Sequence, residues 1–309
     1  MTRKKRTPTT KTARKSTTKT NNSALRRLSI ILGPTASGKT SYAISRALEA
    51  GSPVISCDSR QIFREMRIGT AVPSDEELAT VPHYFIRTVP VTANYTAGIY
   101  EMEALALIEK LFAEGHEELI MAGGSMLYID AVCKGIDDIP AAPPELREKL
   151  TSRAASGELP QMVEELRALD PDTVGEIDCS NPQRVIRALE VCLSSGRPFS
   201  SFKKREVKKR DFEIRKIGLT MPREALYARI DARVDHMMAD GLLDEVRSLL
   251  PYRDLPALRT VGYSELFDYL DGKSSLDEAV RLIKRNTRHY AKRQLTWWRN
   301  DNSIEWITL

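Results

Sequence analysis

The sequence contains no apolar run that approaches the ~20 residues of a membrane-spanning helix. Its basic N-terminus is not followed by an apolar segment, so a secretory signal is not indicated. Cysteine and histidine are scarce, with four residues of each, and no two cysteines have the C-x-x-C spacing of a zinc ribbon or a redox pair. We therefore expect a cytoplasmic protein with reduced thiols, without structural zinc and without a membrane partner.

Acidic residues are absent from residues 1–27, although this segment contains ten of the 47 Lys and Arg residues. The remaining chain has 37 basic and 42 acidic residues, a net charge of −5. Low apolar content predicts a disordered basic tail over residues 1–24. Such a tail either adds non-specific affinity for nucleic acid or is a solvated extension without a specific role, and the sequence favours neither. A transit peptide fits less well, because amphipathic apolar positions are missing.

Short apolar runs alternate with helical patterns through the first half of the chain. The runs predict strands over Leu28–Leu32, Pro53–Cys57, Phe85–Val89 and Glu118–Ala122. Helical spacing predicts helices over Gly38–Ala50, over Ala97–Glu114, and from Gly123-Gly124-Ser125 through Val132. This alternation predicts an α/β fold, a P-loop NTPase-like core with a mainly parallel sheet that is covered on both faces.

Only helical patterns occur between residues 145 and 200, at Glu145–Ala155, Gln161–Ala168 and Pro182–Ser195. Strand character returns afterwards, and the predicted elements are a strand over Ile214–Thr220, a helix from Pro222, a long helix over Leu276–Arg299 and a strand over Ile304–Thr308. We therefore expect a core domain of residues 25–136 and 206–309, with C-terminal helices, and an inserted all-helical domain of residues 137–205.

One segment matches the phosphate-binding pattern G-x-x-x-x-G-K-[ST], namely Gly33-Pro34-Thr35-Ala36-Ser37-Gly38-Lys39-Thr40. It lies between a predicted strand and a predicted helix, which is the context that such a loop requires. Its glycines permit a tight turn in which backbone N–H groups point at anionic oxygens, next to the positive end of the following helix. Lys39 adds a full charge, and Thr40 can ligate Mg²⁺. The pattern predicts a multiply charged phosphate but does not identify the molecule that carries it.

Asp58 follows the second predicted strand, in Asp58-Ser59-Arg60-Gln61. Ligands of open parallel sheets bind beyond the carboxyl ends of the strands, where Asp58 could hold Mg²⁺ through water or act as a general base. The alternative is that Asp58 caps a short helix over Ser59–Phe63. The strand Glu118–Ala122 is followed by Gly-Gly-Ser rather than by a Walker-B acid, which counts against ordinary ATP hydrolysis.

Basic residues dominate Arg281–Arg299, which contains seven Lys or Arg and no acid, with Tyr290, Trp297 and Trp298 interleaved. A helix of this composition could follow a phosphate backbone, or it could be a solvated face with its tryptophans in the core. Lys203–Arg210 is a second basic cluster. Arg229 and Arg233 share one face of the helix after Pro222, where they either reach over the phosphate loop or form structural salt bridges.

Eight segments together resemble one family. From about Ile30 to Trp298, the sequence is similar to the bacterial tRNA dimethylallyltransferases (tRNA isopentenyltransferases) in the segments GPTASGKT, ISCDSRQIF, IGTAVPS, VPHYFI, AGGSMLYIDAV, NPQRVIRALEV, RTVGYSEL and AKRQLTWWR. The resemblance implies transfer of a dimethylallyl group from dimethylallyl diphosphate to N6 of the adenine immediately 3′ of the anticodon, with release of diphosphate. The partners implied are the tRNA anticodon stem-loop and the prenyl donor. A monomer would suffice for this activity, and we expect one.

The resemblance also implies roles for particular residues. Asp58 matches the family's general base, and Arg233 matches an arginine that helps to hold the diphosphate on Gly33–Thr40 with Mg²⁺, while Lys39 and Thr40 would stabilise the leaving group. Because the target base is stacked in its loop, it must be flipped out before it can react. The positions that match tRNA contacts are Asp58, Ser59, Arg60, Gln61, Ser125, Arg147, Gln183, Arg184, Val185, Ile186, Arg187, Arg259, Thr260, Val261, Gly262, Tyr263 and Ser264. Ser125 replaces a more usual Thr and retains the hydroxyl.

Three other functions share some of these features. An ATP-dependent small-molecule kinase would use the same loop, with Asp58 as its base. An RNA-binding protein with a vestigial loop would not depend on Asp58, and a prenyltransferase of free adenine nucleotides would not need the inserted domain. The basic helix and the Gln183–Arg187 segment favour the tRNA enzyme.

Overall fold

A computed structural model describes residues 26–204 and 206–309, so the predicted tail of residues 1–24 lies outside the described residues. Six strands form one sheet in the order β3-β2-β4-β1-β5-β6, and every neighbouring pair is parallel. This confirms the predicted parallel α/β core. The strands are β1 (Arg27–Leu32), β2 (Val54–Ser56), β3 (His83–Tyr84), β4 (Glu118–Ala122), β5 (Glu213–Thr220) and β6 (Ile304–Thr308).

Among the described residues, the helices all lie between β1 and β6 in chain order. They are α1 (Lys39–Ala50), α2 (Asp75–Thr80), α3 (Ala97–Ala113), α4 (Met126–Lys134), α5 (Pro144–Ala155), α6 (Leu159–Leu169), α7 (Pro171–Glu176), α8 (Pro182–Ser195), α9 (Arg223–Ala239), α10 (Leu242–Ser248), α11 (Tyr263–Leu270) and α12 (Leu276–Trp298). Short 3₁₀ turns occur at Phe199–Phe202, Leu250–Tyr252 and Pro256–Leu258. Among the described residues, no helix is both long enough and apolar enough to cross a membrane.

The central strand β1 is buried on both faces of the sheet. Leu28, Ile30 and Leu32 pack on one face into a cluster shared with α3 and α4, while Ile31 packs on the other face with Ala43 of α1. A strand between two helical layers has no solvent-facing side, so its sequence is continuously apolar rather than alternating. The run LSIIL that predicted this strand is therefore explained by the two helical layers.

Strands β4 and β1 are neighbours in the sheet. The connection from β1 leads to β2 on one side of this pair, and the connection from β4 leads to β5 on the other side. The carboxyl ends of these adjacent strands consequently border a crevice, the usual ligand position in open α/β sheets. The Gly123 N–H donates to the Ile31 carbonyl at 3.1 Å, and the Cys57 N–H donates to the Ala122 carbonyl at 2.8 Å. These bonds bring the segments that follow β1, β2 and β4 together.

Several predicted elements are wrong or incomplete. The third strand is His83–Tyr84 rather than Phe85–Val89, because Phe85 (φ 61°) and Arg87 (φ 52°) have left-handed backbone conformations that end the strand. Residues 59–62 form turns and Phe63 forms an isolated β-bridge with Val89, so Asp58 does not cap a helix there. Pro222 precedes α9 instead of lying in its first turn. Helices α2 and α7 were not predicted; each is only six residues long, too short for a periodic pattern.

Helices α5–α8 pack around a hydrophobic cluster of their own, which includes Leu150, Leu166 and Leu189. We call residues 137–205 the helical unit. Both chain segments that border it meet the buried carboxylate of Glu101, which accepts hydrogen bonds from the Ile136 N–H at 2.9 Å and from the Arg210 guanidinium at 3.0 Å. The unit is thus attached to α3 through a buried charged contact.

Candidate active site

A cavity of about 790 Å³ lies at the carboxyl ends of the strands. Most of the predicted core-site residues border it. These are Thr35, Ala36, Gly38, Lys39, Thr40, Asp58, Ser59, Arg60, Gln61, Arg229, Arg233, Arg259, Thr260, Val261, Gly262 and Ser264. The fold therefore brings together residues that are separated by more than 200 positions in the sequence.

The phosphate loop has the backbone conformation that its sequence predicts. Gly33 (φ 145°) and Gly38 (φ 90°) occupy regions that favour glycine, and a β-carbon on Gly33 would collide with the Leu219 carbonyl oxygen. Ala36 also has positive φ, at 64°. Backbone strain of this kind is kept only where the surroundings hold it, and it is typical of ligand-binding loops. The helix α1 begins directly after the loop, at Lys39.

The residues that line the cavity include more cationic than acidic side chains, and several of the cations are partly buried. Burial, reinforced by the nearby Arg233, lowers the pKa of Lys39 to about 8, although Asp58 opposes this shift. Burial also lowers the pKa values of the Arg60 and Arg233 guanidinium groups, again against the opposing effect of Asp58. Among the described residues, neither Arg229 nor Arg233 forms an ion pair, so the salt-bridged alternative is not what the structure contains. Partly desolvated cations that outnumber the nearby carboxylates form a binding site for an anion.

Asp58 is held in place by the turn that follows it. Its Oδ1 accepts hydrogen bonds from the Arg60 N–H at 2.8 Å and from the Gln61 N–H at 3.3 Å. The Asp58 N–H donates to the Ser56 hydroxyl at 3.4 Å. A local turn of this kind fixes the side chain without using a helix. The cavity thus has one carboxylate of fixed orientation close to Lys39 and Arg233.

Ser125 supports the loop that follows β2 through hydrogen bonds to Ser59. Its hydroxyl accepts a hydrogen bond from the Ser59 N–H at 2.7 Å and donates to the Ser59 hydroxyl at 3.0 Å, while the residue is buried. The Ser125 hydroxyl is therefore occupied by Ser59, and Ser125 is not among the residues that border the cavity.

Glu245 is a site residue that the sequence analysis missed. Its Oε2 accepts hydrogen bonds from the Arg67 and Ile68 N–H groups at 2.9 and 2.7 Å, and its Oε1 accepts from the Gly69 N–H at 3.0 Å. The Tyr263 hydroxyl also donates to Oε1, at 2.6 Å. These bonds fix the loop that forms one wall of the cavity. An acid on a helix is usually a surface residue, so no sequence signal marked it.

Three residues at predicted tRNA-contact positions have buried side chains. The Tyr263 side chain is fully buried and bonds to Glu245. The side chains of Val185 and Ile186 are buried in the core of the helical unit. The exposed predicted residues of this unit are Arg147, Gln183 and Arg184. None of the five residues Gln183–Arg187 borders the cavity, and neither does Arg147.

Two arginines of the helical unit converge on one buried carboxylate. Arg187 binds Glu190 at 2.6 Å, and Arg147 lies 3.6 Å from the same side chain. Glu190 is 1% exposed. A buried acid that pairs two partly exposed arginines fixes the direction of both guanidinium groups.

The basic helix α12 uses several of its cationic side chains for ion pairs within the protein. Arg281 pairs with Glu278, Lys284 with Asp235, and Arg288 with Asp231. Trp298 is buried in the main core, whereas the half-exposed Trp297 donates its indole N–H to Asp130 at 3.0 Å. The alternative of a helix with tryptophan in the core thus describes much of α12. Arg293 differs from the paired residues because it borders the cavity.

The cavity offers few protein ligands for a cation. Within the described ranges, no group of three or more His, Cys, Asp or Glu side chains could hold a metal. Thr40 lies at the cavity surface, and the nearby Ser37 hydroxyl is buried without a hydrogen-bond partner. These residues fit Mg²⁺, which usually takes one or two protein oxygens together with phosphate oxygens and water.

A family model described as IPP transferase matches residues 61–301. The tRNA dimethylallyltransferase 2 of Porphyromonas gingivalis is 52% identical over 280 residues, which cover 91% of this chain and 93% of that protein. The tRNA dimethylallyltransferase 1 of Bacteroides thetaiotaomicron is 48% identical over 280 residues, 91% of each chain.

Solved structures show the same similarity. The tRNA isopentenylpyrophosphate transferase of Bacillus halodurans is 36% identical and has a TM-score of 0.66, covering 92% of this chain and 90% of that one. A eukaryotic dimethylallyltransferase acting on tRNA is 25% identical with a TM-score of 0.75, covering 92% of this chain and 74% of that one.

Proposed function

The chain belongs to the IPP transferase family, the tRNA dimethylallyltransferases, and from this premise we propose how its cavity performs the reaction. The protein is a tRNA-modifying prenyltransferase. The kinase alternative has no support from the family or its relatives. The binding of the donor, the roles of the residues and the binding of tRNA are the subject of the proposal.

The donor is dimethylallyl diphosphate, with its diphosphate on Gly33–Thr40. The observation that carries this proposal is the group of partly buried cations, Lys39, Arg60 and Arg233, close to the carboxylate of Asp58. A diphosphate supplies the missing negative charge. Apolar side chains also border the cavity, among them Val234, Met237 and Ile283, and they suit a short hydrocarbon group.

Asp58 acts as the general base. The adenine N6 attacks the first carbon of the dimethylallyl group, and a C–N bond forms while the C–O bond to the diphosphate breaks. The electron pair of that bond leaves with the diphosphate, and the N6 proton passes to Asp58. Lys39, Arg233 and the loop N–H groups stabilise the charge on the departing diphosphate. The fixed Oδ1 of Asp58 keeps the carboxylate oriented toward the cavity.

Mg²⁺ is the proposed cofactor, and Thr40 is the residue that would ligate it. When it is bound, the ion neutralises part of the diphosphate charge and so makes a better leaving group. Ser37, whose buried hydroxyl lacks a partner, lies in the same loop and can bond to the phosphate oxygens.

The acceptor adenine enters from tRNA as a flipped base. We propose that Asp58–Gln61, Arg259–Gly262 and Ser264, which border the cavity, contact the anticodon loop. Residues 137–205 serve as an inserted domain that binds the stem through Arg147, Gln183, Arg184 and Arg187. The enzyme works in the cytoplasm, as a monomer.

Prenyl transfer from labelled dimethylallyl diphosphate to unmodified tRNA, measured beside ATP turnover, tests this proposal. We expect labelled tRNA and no ATP consumption. ATP consumption without labelled tRNA would contradict the assignment.

Asp58→Asn keeps an acceptor for the Arg60 and Gln61 N–H groups but cannot take up a proton, so the transfer rate should fall by about 10²–10⁴-fold. tRNA affinity should be nearly unchanged.

A further inference from the structure

The side chain of Gln294 connects the phosphate loop to the turn that follows β4. It is 1% exposed and lies on α12, far from the loop in sequence. Its Oε1 accepts a hydrogen bond from the Thr35 N–H at 2.8 Å, and its Nε2 donates to the Gly124 carbonyl at 2.8 Å. The Tyr290 hydroxyl donates to the same carbonyl at 3.3 Å. One amide thus spans the crevice between the carboxyl ends of β1 and β4.

The two contacts require an amide in one orientation. The oxygen must face the Thr35 N–H, and the NH₂ group must face the Gly124 carbonyl. A β-carbon at position 124 would collide with Nε2, so the glycine is needed for this close approach. Because Gln294 pairs with both backbone groups, one side chain ties the phosphate loop to the turn after β4.

The helix that carries Gln294 is itself anchored at two further points. Arg288 pairs with Asp231 of α9, the helix on which Arg233 lies, at 2.7 Å. The Asn286 amide donates to Glu265 at 2.7 Å, and Glu265 accepts the Gly262 N–H at 2.8 Å. Through these contacts, α12 fixes the relative positions of the phosphate loop, the helix that carries Arg233 and the Arg259–Ser264 loop.

We propose that Gln294 is a positioning residue, which holds the phosphate loop at the spacing needed to bind the diphosphate of the donor. This inference rests on the proposed function, in which Gly33–Thr40 binds that diphosphate. Gln294 acts through the Thr35 and Gly124 backbone and does not contact the reacting atoms.

The test compares Gln294→Met, which removes both hydrogen bonds at similar length, with Thr296→Ala as a matched control on the same helix. Thr296 is exposed and bonds only to its own helix, through Lys292. The probe is inorganic pyrophosphate with Mg²⁺, with its Kd measured by calorimetry. We expect Gln294→Met to raise this Kd and the KM for dimethylallyl diphosphate about tenfold or more, since a hydrogen bond to a buried group is lost at each end. The Kd for tRNA should change less than twofold, and the control should match the wild type.

A second variant decides the outcome if Gln294→Met also loses tRNA binding. Gln294→Glu keeps the shape and the acceptor for Thr35, but its ionised form places an oxygen against the Gly124 carbonyl. When the carboxyl group is protonated, its O–H can donate to that carbonyl again. The ratio of the variant and wild-type pyrophosphate Kd values should therefore fall toward one as the pH is lowered. A ratio that is constant with pH would overturn the proposal.

The outcomes separate this inference from the proposed function. If the wild type does not bind pyrophosphate, the assignment of the diphosphate site to Gly33–Thr40 fails. If the wild type binds it and Gln294→Met binds it within twofold, only the positioning role of Gln294 fails.

Discussion

Lys39 shows how burial sets the chemistry of one residue. Its ammonium group is desolvated beside Arg233, so its pKa is lowered from 10.5 to about 8. Folding without a bound anion therefore disfavours the charged form of Lys39 relative to the unfolded chain. The free energy of unfolding consequently rises as the pH increases from about 8 toward 10.5, where this cost disappears. A bound diphosphate reverses the balance, since an adjacent negative charge favours the ammonium form.

This reversal predicts the pH dependence of anion binding. Lys39→Met removes the charge at similar length, so the wild type should bind pyrophosphate more tightly than the variant. The advantage should be complete below pH about 8 and should decline as the pH rises above that value, where Lys39 loses its proton. The ratio of the two Kd values between pH 6.5 and 9.5 measures this, and it cancels the ionisation of pyrophosphate itself. An advantage that grows with pH would contradict the assignment.

At the scale of elements, α10 and α11 hold the loop that precedes α2. Glu245 of α10 accepts the Arg67, Ile68 and Gly69 N–H groups, and Tyr263 of α11 donates to the same carboxylate. A β-carbon at Gly69 would lie 2.6 Å from the Tyr263 ring, so this loop also packs directly on α11. The loop has no regular structure of its own, and two neighbouring helices determine its shape.

Glu245→Gln should lower the free energy of unfolding by about 1–3 kcal/mol, because an amide has one acceptor oxygen and leaves partly buried N–H groups unpaired. Asp244→Asn is the matched control, since the neighbouring Asp244 is exposed and pairs only with Arg247 on the surface. Urea denaturation of both variants and the wild type provides the measurement. Equal stability of the two variants would show that the carboxylate is not needed.

At the scale of the whole molecule, diphosphate and tRNA are expected to bind to different parts of the chain. The cavity residues come from the core, whereas Arg147 and Gln183–Arg187 belong to the helical unit and do not border the cavity. The unit has its own hydrophobic cluster and joins α3 at Glu101. Changes on its surface should therefore affect tRNA affinity without affecting anion binding.

Arg184→Gln tests this separation. The exposed Arg184 is expected to contact a phosphate, so the variant should bind tRNA more weakly and reduce the slope of log K against log salt by about one. Its pyrophosphate Kd should equal that of the wild type. Arg167→Gln serves as the control, because Arg167 is an exposed arginine of the same unit that pairs with Glu164 and is not among the predicted contacts. An identical salt slope in all three proteins would exclude Arg184 from the tRNA interface.

The sequence by itself determined the phosphate loop, the parallel sheet and the position of Asp58. These features depend on local chemistry: glycines that permit one turn, an apolar run between two helical layers, and an acid directly after a strand. The resemblance to one family could be read for the same reason, since its segments are short and contiguous. Local patterns failed at Phe85–Val89, where left-handed residues end a strand that the β-branched run predicted.

Only the tertiary structure decided which side chains contact residues that are far away in the sequence. Tyr263 and Ile186 have motif positions but buried side chains, and the basic stretch of α12 uses several of its charges to pair with α9. Glu245 and Gln294 bond to backbone groups at least 170 positions away, at Arg67–Gly69 and at Thr35 and Gly124. The sequence does not show which backbone N–H or C=O group a distant side chain will bond to. A side chain that satisfies one can therefore be recognised only after the chain has folded and brought the two together.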